Sequence, residues 1–95
     1  MQPSTVRIME WDEDRTIWEQ LYSALRARIV SGEYRERSVI PSLTQLEQEF
    51  GVARTTIQKV LRLLKDDFLI RTIPGKGTYV RPQSEWRHNA HNPEG

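Results

Sequence analysis

The sequence contains no cysteine and only two histidines. Disulfide bonds and thiolate metal sites are therefore excluded, which is compatible with a reducing cytoplasm. Long apolar runs are also missing, since none approaches the roughly 20 residues that a membrane-spanning helix needs. The N-terminus does not follow the basic-then-apolar pattern of a signal peptide. We therefore predict no membrane partner.

Candidate catalytic and metal-binding groups are few and poorly arranged. His88 and His91 are three residues apart, but Asn89 and Pro93 argue against a helix that would align them. The acidic run 12–14 lacks an apolar frame and is typical of a solvated tail. The sequence predicts no enzyme activity, no metal site and no cofactor.

Positive charge is concentrated in one third of the chain. Residues 1–50 contain six arginines against nine carboxylates, a net charge of −3. Residues 51–81 contain seven lysines or arginines against two aspartates, a net charge of +5. A basic surface is what the phosphates of a nucleic acid require. The alternative is an ordinary solvated helix face.

The length of 95 residues fits one small domain. Residues 1–15 lack periodicity and are interpreted as an N-terminal tail. Residues 16–81 carry the regular patterns and form the predicted domain. Residues 82–95 contain scattered Pro, Asn, His and Gly, and are interpreted as a disordered C-terminal tail or the start of a linker.

Two capping boxes mark the starts of helices: Thr16 with Glu19, and Ser42 with Gln45. The first helix carries apolar residues at helical spacing and stops at Gly32. The second is short and stops at Gly51. A third helix begins near Arg54, and its predicted buried face consists of Ile57, Val60, Leu61 and Leu64.

The second and third helices are separated by residues 51–53 alone, which is the spacing of a helix-turn-helix. Two apolar or β-branched runs, 69–73 and 78–81, then flank Pro74-Gly75-Lys76-Gly77, a hairpin signal. The predicted fold is mainly α with a small β-hairpin wing. It is a winged helix-turn-helix of three helices plus a two- to three-stranded antiparallel sheet.

Five segments, in this order, resemble the winged helix-turn-helix of the GntR family of bacterial transcription regulators. They are Ile17-Trp18-Glu19-Gln20-Leu21, residues 25–33, Ile40-Pro41-Ser42, residues 50–57 and residues 75–80. The resemblance covers roughly residues 16–81. It implies the N-terminal DNA-binding domain of a cytoplasmic regulator, expected to be a repressor, whose copies bind a palindromic operator as a pair.

The resemblance also assigns DNA contacts. It places the recognition helix 54–66 in the major groove and the wing 74–77 at the adjacent minor groove. An arginine can bind the O6 and N7 atoms of guanine with two hydrogen bonds, and a basic, Gly-rich tip suits phosphates. The predicted DNA-binding residues are Ser42, Thr44, Arg54, Thr55, Thr56, Gln58, Lys59, Arg62, Gly75, Lys76 and Gly77.

Five positions depart from the family pattern. Thr44 and Gln58 stand where the family often has arginine, so base preference should differ. Ala53 replaces the usual Ser or Thr cap of the recognition helix, which costs about 1 kcal/mol of helix stability. Glu47 occupies a position that generally holds a small residue, and Phe68 one that tends to hold glycine.

GntR regulators carry a C-terminal domain that binds effector and dimerises, and it is larger than the 14 residues left after residue 81. Two explanations stay open: a fragment of a longer regulator, which we favour, or a small complete regulator. We expect no effector on this segment, two copies on DNA and, if this is an isolated domain, a monomer in free solution.

The rival hypothesis is a winged helix that serves as a protein-interaction module without DNA binding. It predicts an apolar or acidic exposed face on the third helix. The polar positions of that helix are instead basic, hydroxyl or amide residues, which favours DNA.

Overall fold

A computed structural model describes residues 11–87, which form three α-helices, a β-hairpin and a short 3-10 helix. The helices are α1 (Ile17–Ser31), α2 (Leu43–Phe50) and α3 (Arg54–Asp66). The strands are β1 (Ile70–Ile73) and β2 (Gly77–Val80), followed by a short 3-10 helix, Gln83–Glu85. The predicted mainly α fold with a hairpin wing is confirmed. Within the described residues, no helix is long and apolar enough to cross a membrane.

Both predicted capping boxes form. The Thr16 side chain accepts a hydrogen bond from the backbone of Glu19, and Ser42 does the same for Gln45. The two helices end at Gly32 and Gly51, which take left-handed conformations with φ of 90° and 67°. Glycine is favoured at such positions because it has no Cβ. The sequence therefore predicted both ends of α1 and α2.

The core lies where α1 and α2 pack against α3 and the base of the hairpin. Its fully buried side chains include Leu21, Leu25, Ile29, Leu46, Ile57, Val60, Leu64, Leu69, Ile70 and Val80. Leu61, predicted to be buried with them, is only partly buried. The reason is its position on the side of α3 that faces the wing.

The wing is an antiparallel hairpin in which Ile70 pairs with Val80 and Ile73 with Gly77. The segment 37–40 runs beside β2 and forms one isolated bridge, Val39 with Tyr79. Three backbone hydrogen bonds accompany it: Arg37 N to Val80 O (2.8 Å), Ile40 N to Thr78 O (2.8 Å) and Val80 N to Ser38 O (3.0 Å). The sheet therefore has two full strands and a rudimentary third.

The C-terminal end of α3 explains why glycine suits position 68. Phe68 has a φ of 63°, a left-handed conformation. The N–H of Leu69 donates to the carbonyl of Leu64 (3.0 Å), and the N–H of Phe68 to that of Lys65 (2.9 Å). This pair of bonds is the Schellman motif, which needs a left-handed residue after the helix.

Residues that follow the hairpin return to the domain. Trp86 is 9% exposed, and its indole Nε1 donates to the carbonyl of Arg81 (2.7 Å). The N–H of Arg87 donates to the carbonyl of Asp67 (2.7 Å). The prediction of a disordered tail is therefore wrong for residues 82–87, because one buried indole anchors them. Residues 88–95, with both histidines, lie outside the described residues.

The residues just before α1 also contact the domain. The side-chain amide of Gln20 donates to the carbonyl of Asp12 (2.9 Å) and accepts from the Asp12 N–H (2.6 Å). Trp11 is partly buried and packs against the core.

Candidate nucleic-acid interface

The outer face of α3 is polar while its inner face is buried. Ile57, Val60 and Leu64 point into the core. The exposed residues of the helix include Arg54, Thr55, Gln58, Arg62 and Lys65. The large exposed hydrophobic residues in the described chain are Ile17, Val30, Val39 and Phe68, none of which lies on α3.

A groove of about 840 Å³ separates α3 from the wing. We call it the wing groove. Gln58, Arg62 and Lys65 line it from α3, Lys76 from the wing tip and Ser42 from the start of α2. With Gly77 of the wing, five predicted site residues from three elements therefore meet there, and Lys65 joins them.

The cations of the wing groove are available to an anion. Within residues 11–87, Arg62, Lys65 and Lys76 form no ion pair. Each is exposed. Unpaired cations along one concave surface attract a phosphate backbone, and each neutralised phosphate releases counterions. The wing groove is thus chemically suited to the backbone of a nucleic acid.

A second cluster lies at the start of α3. Arg54 Nη2 is 3.0 Å from Glu47 Oε1, and Arg54 Nε is 3.4 Å from Glu47 Oε2. Arg54 Nη2 also donates to Thr44 Oγ1 over 3.3 Å. We call Thr44, Glu47 and Arg54 the Arg54 cluster. Glu47 therefore points along the surface toward α3, which is how α2 accommodates a large residue there.

The first turn of α3 has no side-chain cap. Ala53 takes the extended conformation of a capping residue, with φ −66° and ψ 149°, but no side-chain atom accepts a hydrogen bond there. The Thr55 and Thr56 hydroxyls belong to the same turn. Uncapped N–H groups beside hydroxyls suit phosphate oxygens.

Two predicted site residues have other roles in the free domain. The Lys59 ammonium lies 4.4 Å from the centroid of the Trp18 ring, on the α1 side of α3. The Ser42 hydroxyl caps α2 (3.1 Å from Gln45 N) while it also lines the wing groove.

The wing glycines serve two different purposes. Gly75 has a φ of 80°, and a Cβ there would meet open space, so the turn conformation is what favours glycine. At Gly77 a Cβ would lie 3.0 Å from Val39 Cγ2. Gly77 therefore allows the segment 37–40 to approach β2.

The sequence-based site omitted Lys65 and the role of Glu47. Lys65 is seven residues, or about two helical turns, after Gln58 and three residues after Arg62, so helical spacing alone could have placed it on that face. No sequence signal predicts that Glu47 pairs with Arg54, because the two residues belong to different helices. Among residues 11–87 no group of acidic and histidine side chains could hold a metal ion.

The sequence profile described as "Bacterial regulatory proteins, gntR family" matches residues 17–80. The chain belongs to the GntR family. The helix-turn-helix, the wing groove and the Arg54 cluster all lie within the matched residues, so the site is part of the GntR domain itself.

Curated GntR relatives are similar to the chain over about two thirds of it or more. It is 32% identical over 69 residues to the mannosyl-D-glycerate transport/metabolism system repressor MngR of Escherichia coli (strain K12), covering 73% of this chain and 29% of MngR. It is 38% identical over 63 residues to the histidine utilization repressor of Klebsiella aerogenes, covering 66% of this chain and 26% of that protein. The chain thus spans less than a third of these relatives.

Among solved structures, AraR(DBD) in complex with operator ORX1 is similar to this GntR domain, with a TM-score of 0.68 and 27% identity. The match covers 84% of this chain and 99% of that one. The fold is therefore the winged helix of a DNA-binding domain.

Proposed function

We propose that this chain is the sequence-specific, double-stranded DNA-binding part of a bacterial transcription regulator. The observation that carries the proposal is the wing groove, where three unpaired cations from α3 and the wing line one concave surface. The similarity to AraR(DBD) in complex with operator ORX1 supports it. The chain has no enzymatic role in this proposal.

α3 enters the major groove, where Arg54 and Gln58 bind base edges and the first-turn residues Thr55 and Thr56 bind phosphates. Arg62, Lys65 and Lys76 follow the adjacent backbone, and Gly75 brings the wing tip close to the minor groove. Base contacts give the sequence preference, while phosphate contacts fix the register.

The regulator acts in the cytoplasm as a repressor, in keeping with relatives that are named repressors. Two copies bind the two halves of a palindrome, with both recognition helices on one face of the duplex. Effector binding is assigned to a part of the regulator outside this domain.

Selection from a pool of random duplexes tests the proposal. The chain should enrich a consensus made of two inverted half-sites, and Arg54→Ala should relax one base pair per half-site at a cost of about 1–3 kcal/mol. Lys76→Ala should weaken binding to all sequences alike and lower the salt slope by about one unit. Glu33→Gln, at an exposed residue that lines neither the wing groove nor the Arg54 cluster, serves as the control. Salt-independent binding, or no binding to any duplex, would instead favour a protein-interaction module.

A further inference from the structure

Arg54 is held along one edge of its guanidinium group. Its Nε and Nη2 atoms face the two oxygens of Glu47 at 3.4 and 3.0 Å. This is the two-point geometry in which a carboxylate fixes the plane of an arginine. Thr44 contacts the same Nη2 at 3.3 Å.

The opposite end of the guanidinium is left for a ligand. Arginine has five N–H donors, and Nη1 carries two of them. Within the described chain, Nη1 makes no hydrogen bond. The second Nη2 hydrogen makes only the longer bond of 3.3 Å to Thr44. Once a guanine displaces that bond, the end formed by Nη1 and Nη2 can donate two parallel hydrogen bonds to O6 and N7 in the major groove.

Stability does not explain the pair. The Arg54 side chain is 51% exposed and that of Glu47 is 28% exposed. Exposed pairs add little to folding because water screens them. A carboxylate beside an approaching DNA backbone also repels phosphates, so Glu47 reduces general affinity for DNA.

We infer that Glu47 is a specificity-determining positioning residue, which holds Arg54 so that its free end reads one guanine. The inference rests on the proposed function. A flexible arginine can bind a phosphate as well as a base, because any of its edges suits a phosphate oxygen. With the Nε edge occupied and its charge balanced by Glu47, Arg54 gains less from a phosphate and still has both donors for guanine.

Removal of the carboxylate should therefore raise the affinity for random DNA and lower the discrimination between bases. In Glu47→Gln the affinity for a random duplex should rise about two- to fivefold, because one negative charge facing the DNA is lost. Discrimination against a wrong base at the Arg54-dependent position should fall about three- to tenfold, as expected when coupled residues are separated. Both are measured by competition binding with the selected consensus and its single-base variants.

Glu47→Asp separates charge from reach. The aspartate keeps the negative charge but is one methylene shorter, so it cannot make both contacts with Arg54. Affinity for a random duplex should rise less than in Glu47→Gln, because the negative charge remains and only the release of Arg54 contributes. Discrimination at the same base pair should fall as in Glu47→Gln. Glu33→Gln makes the same change in net charge as Glu47→Gln, but the Glu33 side chain is 62% exposed and lies beside Arg28. This control should leave discrimination unchanged.

The effect must pass through Arg54. In an Arg54→Ala background, Glu47→Gln should have no further effect on base preference. If Glu47→Gln raises specific and non-specific affinity equally, Glu47 only competes with DNA and the inference is overturned. If the wild-type chain selects a consensus that neither Glu47 variant alters, this inference alone is wrong. If the wild type selects no consensus, the proposed function fails with it.

Discussion

Neighbouring residues on α3 have opposite roles. Gln58 faces the wing groove, whereas Lys59 turns back and lies over Trp18. Successive residues of a helix point about 100° apart, so one can face a ligand while the next packs on the domain. Residue type did not separate these roles in the sequence, since both side chains can bind DNA.

We predict that Gln58 reads an adenine, because its amide can donate to N7 and accept from N6 in the major groove. Gln58→Ala should cost about 1–3 kcal/mol at the preferred site and relax one base pair of the consensus. Gln48→Ala, an exposed glutamine on α2, should leave the consensus intact. Selection from random duplexes measures both, and an unchanged consensus for Gln58→Ala would remove this residue from the reading set.

Tyr22 links α1 to the end of α3. The Tyr22 hydroxyl donates a hydrogen bond to the carboxylate of Asp67, and both residues are buried. Burial, followed by the hydrogen bond and the negative charge of Asp67, raises the pKa of the Tyr22 phenol above its ordinary value. Folding therefore keeps this phenol protonated at a pH where the unfolded chain has lost the proton.

Tyr22→Phe should lower the free energy of unfolding by about 1.5–3 kcal/mol at pH 7, since it removes a hydrogen bond to a charged group. The folded-state pKa is the higher one, so the contribution is complete below about pH 10 and declines above it. Urea unfolding at pH 7 and pH 10.5 should show the difference from wild type shrinking at the higher pH. A difference that grows with pH would contradict this account. Tyr79→Phe, on the wing, is the control.

At the scale of elements, the three helices differ in how their ends are stabilised. α1 and α2 each have a capping box and a terminal glycine, whereas α3 has neither. α3 begins with an uncapped turn, and the left-handed residue that follows its C-terminal end is Phe68 rather than a glycine. The recognition helix is therefore the one of the three helices whose ends are least stabilised by local sequence.

Ala53→Ser should stabilise the domain by about 1 kcal/mol, because the serine hydroxyl can accept from the open N–H groups of the first turn. The backbone of Ala53 already has the required extended conformation. Thermal unfolding measures the gain, and Ala53→Val, which offers no acceptor, should give none. Equal melting temperatures for Ala53→Ser and wild type would show that the first turn is already satisfied.

The sequence predicted elements better than contacts between them. Capping boxes, glycine stops and apolar spacing are local, so they placed all three helices and the hairpin. The Arg54–Glu47 pair and the Lys59–Trp18 contact join different helices and depend on packing, which local patterns do not encode. Trp86 was missed as an anchor because one aromatic residue among polar neighbours has no periodicity.

At the scale of the whole molecule, all three helices bury their apolar faces in one core. α1 and α2 both pack against α3, and the exposed large hydrophobic residues of the described chain are only four, scattered along the sequence from Ile17 to Phe68. Scattered apolar residues do not form an interface, since stable interfaces bury about 1,200–2,000 Å². The described part of the chain thus offers no surface suited to stable self-association.

We therefore predict a monomer in free solution at micromolar concentration and two copies on a palindromic duplex. Light scattering of the free chain should give the monomer mass of 11.2 kDa. Binding to a duplex with one half-site should be markedly weaker, because the second copy then has no matching contacts. Twice the monomer mass without DNA would contradict the prediction, and Trp11 and Trp86 would be the first residues to substitute.

The segment 37–40 beside β2 also makes formation of the wing depend on the order in which the domain folds. Its hydrogen bonds join Arg37 and Ser38 to Val80, so they close a loop that contains α2 and α3. Loop closure of this length is entropically costly before the enclosed elements have folded. We therefore expect the third strand of the wing to pair late, after the helix-turn-helix has assembled. A partly folded chain then lacks the complete wing groove that would bind a phosphate backbone. Binding to DNA would therefore require the fully folded domain.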